Sequence, residues 1–303
     1  MAGNQWSPAD SELQGPTAPW TLREVGMKSR AILLMILVLV LVSVRSAAQS
    51  SYQTITVNDG GTITGTVKWS GPVAKVPTIL INKDPEICDP QGQKKRDLER
   101  LVISSNGGVA NTVVFLKDIT RGKAMDLPEG RQFLNQKTCR YEPHVLLVPD
   151  KGTLQLKSSD PILHTVHMTG ASDYNLPFPF ANQTVSRTMN REGTVDLRCN
   201  AGHVWMNAEM LVVPHPYYTV TDEDGNFKLT NVPPGEYEIE AWHEGWKVTG
   251  QGTVYDVMTQ MRVQRPVFSD PMEWTRKVTV PANGSVDVKF VISEKRPEMA
   301  SNR

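Results

Sequence analysis

The segment at residues 194–199 reads TVDLRC, and its side chains alternate between apolar and polar. Val195, Leu197 and Cys199 therefore share one face of an extended strand, while the polar residues occupy the other face. The same two-residue period recurs in the segments 153–157, 236–241 and 286–290. Short strands of this kind, separated by turns rich in glycine and proline, are typical of β-sandwiches and barrels. The sequence therefore predicts an all-β fold.

The composition agrees with a turn-rich chain, because 22 glycines and 21 prolines occur among the 303 residues. The 32 basic residues (Lys and Arg) balance 32 acidic ones, so the formal net charge is 0. The chain therefore lacks the basic excess of nucleic-acid-binding proteins. Its apolar fraction of 39% is enough to build a hydrophobic core, and its length exceeds what one core usually needs. We expect two domains and no nucleic-acid partner.

An apolar run, AILLMILVLVLVSV at residues 31–44, lies near the N-terminus and follows two basic residues. Small residues follow at positions 46–48, which is the pattern of a secretory signal peptide cleaved after Ala48. A start at Met27 would give this signal a normal charged beginning, and an uncleaved membrane anchor is the alternative to cleavage. Residues 1–48 are thus predicted to be an extension and signal of an exported, periplasmic or extracellular protein. Contact with the membrane is expected only through an uncleaved signal.

Cys199, His203 and Met206 follow the pattern C-x3-H-x2-M, so one loop after a strand offers three metal-binding side chains. A second imidazole comes from His164, which follows Asp160 in the pattern D-x3-H. Two imidazoles and a thiolate, with a weak axial thioether, form the blue-copper ligand set, whereas Mg²⁺ and Ca²⁺ prefer oxygen ligands. The sequence predicts one copper ion held by His164, Cys199 and His203, with Met206 as the axial ligand.

Nearby side chains that could bind a metal are assigned other roles. His167 lies three residues after His164 and therefore on the opposite face of a strand. His144 is interpreted as structural. Met210, an alternative axial ligand, begins an apolar run and is interpreted as part of the core.

The remaining cysteines, Cys88 and Cys139, are predicted to form a disulfide. This follows if Cys199 binds copper and the chain lies in an oxidising compartment. Two separate buried thiols are the alternative.

Residues 171–190 and 249–272 lack the alternating pattern, and residues 249–272 are assigned to no element. The run at residues 94–100, KKRDLER, carries charges of both signs and is predicted to be a solvated turn. Residues 171–190 are predicted to form a long loop of the kind that often serves a function.

The ligand motifs resemble those of the cupredoxin family, and the matching residues are Asp160-x3-His164-Thr165-Val166 and Cys199-x3-His203-x2-Met206. The loop spacing is closest to that of the binuclear copper domain of cytochrome oxidase, but Val195 stands where that domain has a second cysteine. The resemblance therefore implies one copper ion rather than two. Thr165 stands where many cupredoxins carry an asparagine whose amide ties the two ligand loops together.

A longer stretch, from about Cys139 to Trp246, is similar to exported cupredoxin-like proteins of the methylamine-utilisation type. These join a copper-type domain to a carboxypeptidase-regulatory-like β-sandwich. The further matching residues are Tyr141-x-Pro143, Asp224-Gly225-x-Phe227-x-Leu229, Val232-Pro233-Pro234-Gly235-x-Tyr237 and Trp242-His243. The resemblance implies a cupredoxin-like Greek-key β-sandwich at residues 49–215. A smaller prealbumin-like or regulatory-like β-sandwich follows at residues 216–295, with a tail at 296–303.

The first strands of the mature chain fit either domain. Residues 61–67 read G-x-I-x-G-x-V, which is how many regulatory-like domains begin. This segment either completes the second sandwich or forms an extra sheet on the first.

The leading functional hypothesis is one-electron transfer by an exported mononuclear copper protein that is not an enzyme, because no second copper ligand set is visible. Its redox partner protein is not identified by the sequence. Two alternatives remain: a periplasmic copper carrier, and a non-redox binding or scaffold protein. In the second case Trp242, Trp246 and Trp274 could stack on carbohydrate, although a place in the core is the favoured interpretation of these side chains.

Overall fold

A computed structural model of the chain describes residues 52–256 and 258–294. The predicted signal peptide, its alternative start at Met27, its cleavage site after Ala48 and the tail at 296–303 lie outside the described residues. Within the part that is described, no helix has both the length and the apolar character needed to cross a membrane.

Strands dominate the described residues, and α1 is the only helix among them. In chain order the elements are β1 (Gln53–Thr54), β2 (Gly61–Trp69), β3 (Ile79–Leu80), α1 (Pro85–Cys88), β4 (Lys95–Arg96), β5 (Val113–Leu116), β6 (Arg121–Gly122), β7 (Phe133–Lys137), β8 (Arg140–Glu142), β9 (Val145–Pro149), β10 (Thr153–Ser158), β11 (His164–Gly170), β12 (Tyr174–Phe178), β13 (Thr184–Thr188), β14 (Gly193–Arg198), β15 (Asn207–Val213), β16 (Tyr218–Val220), β17 (Asn226–Val232), β18 (Gly235–His243), β19 (Val248–Tyr255), β20 (Arg262–Phe268), β21 (Met272–Val280) and β22 (Ser285–Ile292). The all-β prediction is confirmed.

The first sandwich consists of a five-stranded sheet in the order β12-β11-β14-β15-β9 and a four-stranded sheet in the order β13-β10-β7-β8. Alternate residues of each strand point into the core between the sheets, as Val195 and Leu197 of β14 do, both fully buried. Leu154 and Leu156 of β10 meet them from the other sheet in the same cluster of buried residues. The core therefore extends to the end of β14, where Cys199 follows.

The second sandwich consists of the sheets β16-β5-β18-β21 and β17-β2-β22. Strand β2 pairs antiparallel with β17 and parallel with β22, so the segment at residues 61–69 joins the second sandwich. Gly65 makes this possible, because a Cβ there would lie 1.9 Å from the carbonyl oxygen of Val288. The division at residue 215 stays a prediction. Strands β2 (residues 61–69) and β5 (residues 113–116) precede residue 215 in the chain. The other strands of their two sheets all follow it.

The two sandwiches share an apolar contact. Strand β9 is buried on both faces: Leu146 and Val148 lie in the core of the first sandwich, while Val145 and Leu147 face away from it. On that second face they pack in one cluster with residues of the second sandwich that include Trp242. Burial of apolar area on both faces of a strand holds such sheets together.

Two of the local predictions are wrong. Residues 171–190 are not a loop, because they contain β12 and β13, edge strands of the two sheets of the first sandwich. Residues 94–100 are not a solvated turn, because Leu98 and Arg100 are each only 3% exposed. The Arg100 guanidinium is buried because it forms an ion pair with Glu244 (Nη1 to Oε2, 2.7 Å). A run of mixed charges thus supplies a buried ion pair as well as exposed charged side chains.

Candidate metal centre

The loop after β14 brings a sulfur and an imidazole together. Cys199 is 1% exposed at the end of the inward-facing row of β14. Gly202, in the turn before His203, adopts φ +83°, a left-handed conformation that glycine takes without strain. His203 follows this turn, and its Nδ1 lies 3.8 Å from the Cys199 Sγ.

The second imidazole comes from the neighbouring strand. His164 is the first residue of β11, which pairs antiparallel with β14. Its Nδ1 lies 3.2 Å from Nδ1 of His203. One ligand atom each from His164, Cys199 and His203 all lie within 4.8 Å of one another, and all three residues are buried. The structure therefore brings together the three predicted equatorial ligands.

A carboxylate lies behind each imidazole. Asp160 Oδ2 is 2.9 Å from Nε2 of His164, and Asp84 Oδ2 is 2.9 Å from Nε2 of His203. A hydrogen bond at Nε2 fixes the ring orientation, so that Nδ1 faces the other ligands. Asp84 was missed from the sequence, where it stands 119 positions before His203.

Thr165 links the two ligand segments. Its backbone N–H donates to the Cys199 Sγ at 3.4 Å, and its Oγ1 lies 3.8 Å from the same sulfur. The backbone N–H of Asn200 donates to Thr165 Oγ1 at 2.7 Å. The Thr165 hydroxyl thus joins the two ligand segments.

The electrostatics of the cluster favour a thiolate. Burial raises the pKa of the Cys199 thiol, but hydrogen bonds with His164 and His203 outweigh this and lower the pKa to about 5. Burial lowers the pKa of His164, but the hydrogen bond to Asp160 and the contact with Cys199 raise it to about 9. At neutral pH, the protein without a metal therefore pairs a thiolate with a protonated imidazole.

Met206 follows His203 by three residues and lies in the same buried core as Cys199. Its backbone N–H donates to the carbonyl oxygen of His203 at 3.0 Å, and it is 1% exposed in the buried cluster that contains Cys199. Its assignment as the axial ligand stays a prediction. Met210 is fully buried in the same core, and His144 contacts the Glu244 carboxylate through Nε2.

Cys88 and Cys139 form a disulfide with a Cα–Cα distance of 5.0 Å. Their sulfur atoms and one ring nitrogen of His203 all lie within 4.8 Å of one another. The disulfide therefore lies directly beside the candidate metal centre.

The three tryptophans considered for carbohydrate stacking are not available for it. Trp242, Trp246 and Trp274 are between 2% and 5% exposed, and each belongs to a buried apolar cluster. Carbohydrate stacking on these rings is therefore wrong, because burial leaves no face for a sugar.

One protein family matches part of the chain. The second β-sandwich domain of BOS complex subunit NOMO1-like proteins matches residues 215–266. No curated protein matches the chain. The matched region begins just before β16 and includes β17 and β18.

Solved structures match the chain weakly. A copper-containing nitrite reductase from Thermus scotoductus SA-01 matches at 18% identity and a TM-score of 0.25, covering 30% of this chain and 24% of that chain. A reduced amicyanin variant matches at 24% identity and a TM-score of 0.25, covering 29% of this chain and 87% of that chain. An oxidised amicyanin variant matches at 21% identity and a TM-score of 0.24, covering 38% of this chain and 99% of that chain. The chain spans less than a quarter of the length of the nitrite reductase.

Proposed function

We propose that this chain is an exported mononuclear copper protein that transfers single electrons and is not an enzyme. The observation that carries the proposal is the buried convergence of His164, Cys199 and His203, whose ligand atoms all lie within 4.8 Å of one another. Two imidazoles and a thiolate fit copper by donor chemistry, because borderline nitrogen and soft sulfur ligands suit both of its common oxidation states. Met206 is proposed as the axial ligand.

Copper bound to this set would supply a couple that gains and loses one electron. The chain itself would keep the ligands in place and exclude water, since His164 and His203 are 0% exposed and Cys199 is 1% exposed. The carboxylates behind the rings hold the remaining imidazole protons on Nε2, so that Nδ1 is the nitrogen offered to a metal. Metal affinity should fall at low pH, because protons compete for the ligands.

The proposal also includes export of the chain and a partner protein that exchanges electrons with it. The Cys88–Cys139 disulfide fits an oxidising compartment outside the cytoplasm. We propose a redox partner protein, whose identity the chain does not specify.

Copper titration of the purified mature chain tests the proposal. We expect one Cu(II) per chain, an intense visible absorption from thiolate-to-copper charge transfer and a matching EPR signal. The Cys199→Ser variant should lose the absorption, because a hydroxyl replaces the thiolate. A colourless protein that binds Cu(I) would instead indicate a copper carrier, and a protein that binds no copper would overturn both readings.

A second candidate function is a non-redox binding or scaffold role. It is favoured by the match of residues 215–266 to a β-sandwich domain of a complex subunit. This role needs no copper, so a wild-type chain that stays folded without binding copper would support it. A copper-loaded chain with the thiolate absorption would favour electron transfer.

A further inference from the structure

We propose that Asp84, Cys88, Cys139 and Asp160 form a clasp that sets the orientation of both imidazoles of the candidate metal centre. In this clasp the two aspartates act as positioning residues, and the disulfide holds them relative to each other. The inference rests on the proposed function and deepens it, because it assigns residues that control the same site.

The first arm of the clasp runs from Cys88 to His203. Asp84 occupies the N-cap position of α1, which ends at Cys88, yet its side chain makes no capping hydrogen bond. The carboxylate instead meets Nε2 of His203 at 2.9 Å. Asp84 also adopts φ +46°, a left-handed conformation that aspartate takes more readily than most residues other than glycine. An aspartate at an N-cap usually caps its own helix, so its contact with a distant imidazole indicates a role in positioning that ring.

The second arm runs from Cys139 to His164. Thr138 and Cys139, which connect β7 to β8, adopt φ +51° and +54°, both in the left-handed region. The Asp160 carboxylate accepts the backbone N–H groups of both residues, at 2.7 and 2.8 Å. The same carboxylate meets Nε2 of His164. Asp160 therefore connects the turn that carries Cys139 to the first imidazole.

The disulfide joins the two arms covalently. Cys88 and Cys139 are 51 positions apart in sequence and both 0% exposed. Without this bond, the segment that carries Asp84 would depend on weaker contacts for its place beside His203. Because the bond fixes both arms, the two rings keep one mutual arrangement before any metal arrives. Such preorganisation of the groups around the ligands raises metal affinity.

The matched pair Asp84→Asn and Glu86→Gln tests the first arm. Each variant removes one negative charge, and Glu86 is exposed on the same helix. Asparagine keeps the size of aspartate but loses the charge that orients the imidazole. We expect Asp84→Asn to weaken Cu(II) affinity at least tenfold and to alter the EPR hyperfine splitting. Glu86→Gln should change neither.

A double-mutant cycle tests the role of the disulfide. In a background with Cys88→Ala and Cys139→Ala, Asp84 is no longer held, so Asp84→Asn should weaken affinity less than twofold. A full tenfold effect in that background would show that the disulfide does not position Asp84. If the background does not fold, the Asp84→Asn and Glu86→Gln pair still decides the role of the carboxylate.

The outcomes separate this inference from the proposed function. A wild-type chain that binds no copper overturns the proposed function. A wild-type chain that binds copper with the thiolate absorption, while Asp84→Asn binds it equally well with an unchanged EPR spectrum, overturns the clasp alone.

Discussion

The candidate metal centre and the ion cluster around Arg100 are both buried, and they differ in which groups face each other. In the ion cluster, Arg100 Nη1 lies 2.7 Å from Glu244 Oε2, and Nη2 lies 3.4 Å from Glu209 Oε1. His144 contacts the other Glu244 oxygen. Burial raises the pKa of Glu244, but His144 and Arg100 outweigh it and hold that pKa below its ordinary value. In this cluster the Arg100 guanidinium and the Glu244 carboxylate therefore face each other directly.

In the metal centre a carboxylate lies behind each imidazole, on the side away from the Cys199 sulfur. The carboxylates of Asp84 and Asp160 meet the outer nitrogens, while the inner nitrogens and the Cys199 sulfur face one another. Burial of polar groups alone therefore does not identify a site. The useful signal is a set of possible ligand atoms that converge on one point while a carboxylate holds each ring from the other side. The predictions below test this contrast between buried polar groups.

The largest expected effect comes from breaking the ion cluster. Arg100→Met removes the guanidinium and leaves the Glu244 charge buried without its cation. We expect a loss of about 3–5 kcal/mol in the free energy of unfolding, measured by urea denaturation. Copper affinity of the folded fraction should not change, because Arg100 contacts none of the proposed ligands. Lys289→Met, which removes an exposed partner of Asp287, should stay within about 0.5 kcal/mol of wild type. A loss of copper binding in Arg100→Met would show that the ion cluster affects the metal centre, contrary to this prediction.

The second prediction contrasts two buried histidines. His164 is held by a carboxylate, whereas His215 packs against the rings of Tyr52, Tyr217 and Tyr218. Burial lowers the pKa of His215 to about 4. The unfolded chain, whose histidine keeps a pKa near 6.5, then binds more protons than the folded chain as the pH falls. The contribution of His215 to the free energy of unfolding is fully present above about pH 6.5. It falls by roughly 3 kcal/mol as the pH drops to about 4.

The pH dependence of unfolding measures this loss. His215→Phe removes the titrating group, so its unfolding free energy should decline less between pH 6.5 and 4 than that of wild type. His167→Gln changes a histidine on the outward face of β11 and should keep the wild-type decline. If His215→Phe and wild type decline in parallel, the buried imidazole is not the source of the acid sensitivity.

The proposed ligands could be chosen from the sequence because local patterns place them. The alternation that buries Val195 and Leu197 also buries Cys199, and the short spacing from Cys199 to His203 keeps both in one loop. His164 could be proposed because its residue type and a preceding aspartate fit a ligand strand. These inferences need only the two-residue period of a strand and the reach of a short loop.

The supporting residues could not be chosen in this way. Asp84 reaches His203 across 119 positions, and an Asp-Pro pair before a short helix predicts only a cap. Arg100 sits in a run of mixed charges, and only the fold shows that Glu244 meets it. The place of β2 beside β22 is likewise a long-range pairing, which periodicity does not encode. Sequence patterns predict which face of an element is buried, but not which distant element covers it.

The third prediction concerns metal removal. Copper that binds the folded chain at a free concentration one hundred times its Kd should raise the free energy of unfolding by about 2.7 kcal/mol. Adding Cu(II) should raise the urea concentration at the midpoint of unfolding. Removing it with a chelator should return the midpoint to its starting value. The Arg100→Met variant should show the same increment from its lower starting stability, while Cys199→Ser should show much less. An equal increment in Cys199→Ser would locate the bound copper elsewhere.

The smallest expected effect comes from Thr165→Val, which keeps the side-chain shape and removes the hydroxyl that joins the two ligand loops. The Asn200 N–H then loses its acceptor, so the free energy of unfolding should fall by about 1 kcal/mol. The backbone N–H of Thr165 still donates to the Cys199 sulfur, and copper should therefore still bind. The charge-transfer band should shift slightly, because the sulfur loses a weak neighbouring donor at 3.8 Å. Thr169→Val, at an exposed position of the same strand, should leave the band unchanged. An equal shift of the band in both variants would show that the Thr165 hydroxyl has no specific effect on the Cys199 sulfur.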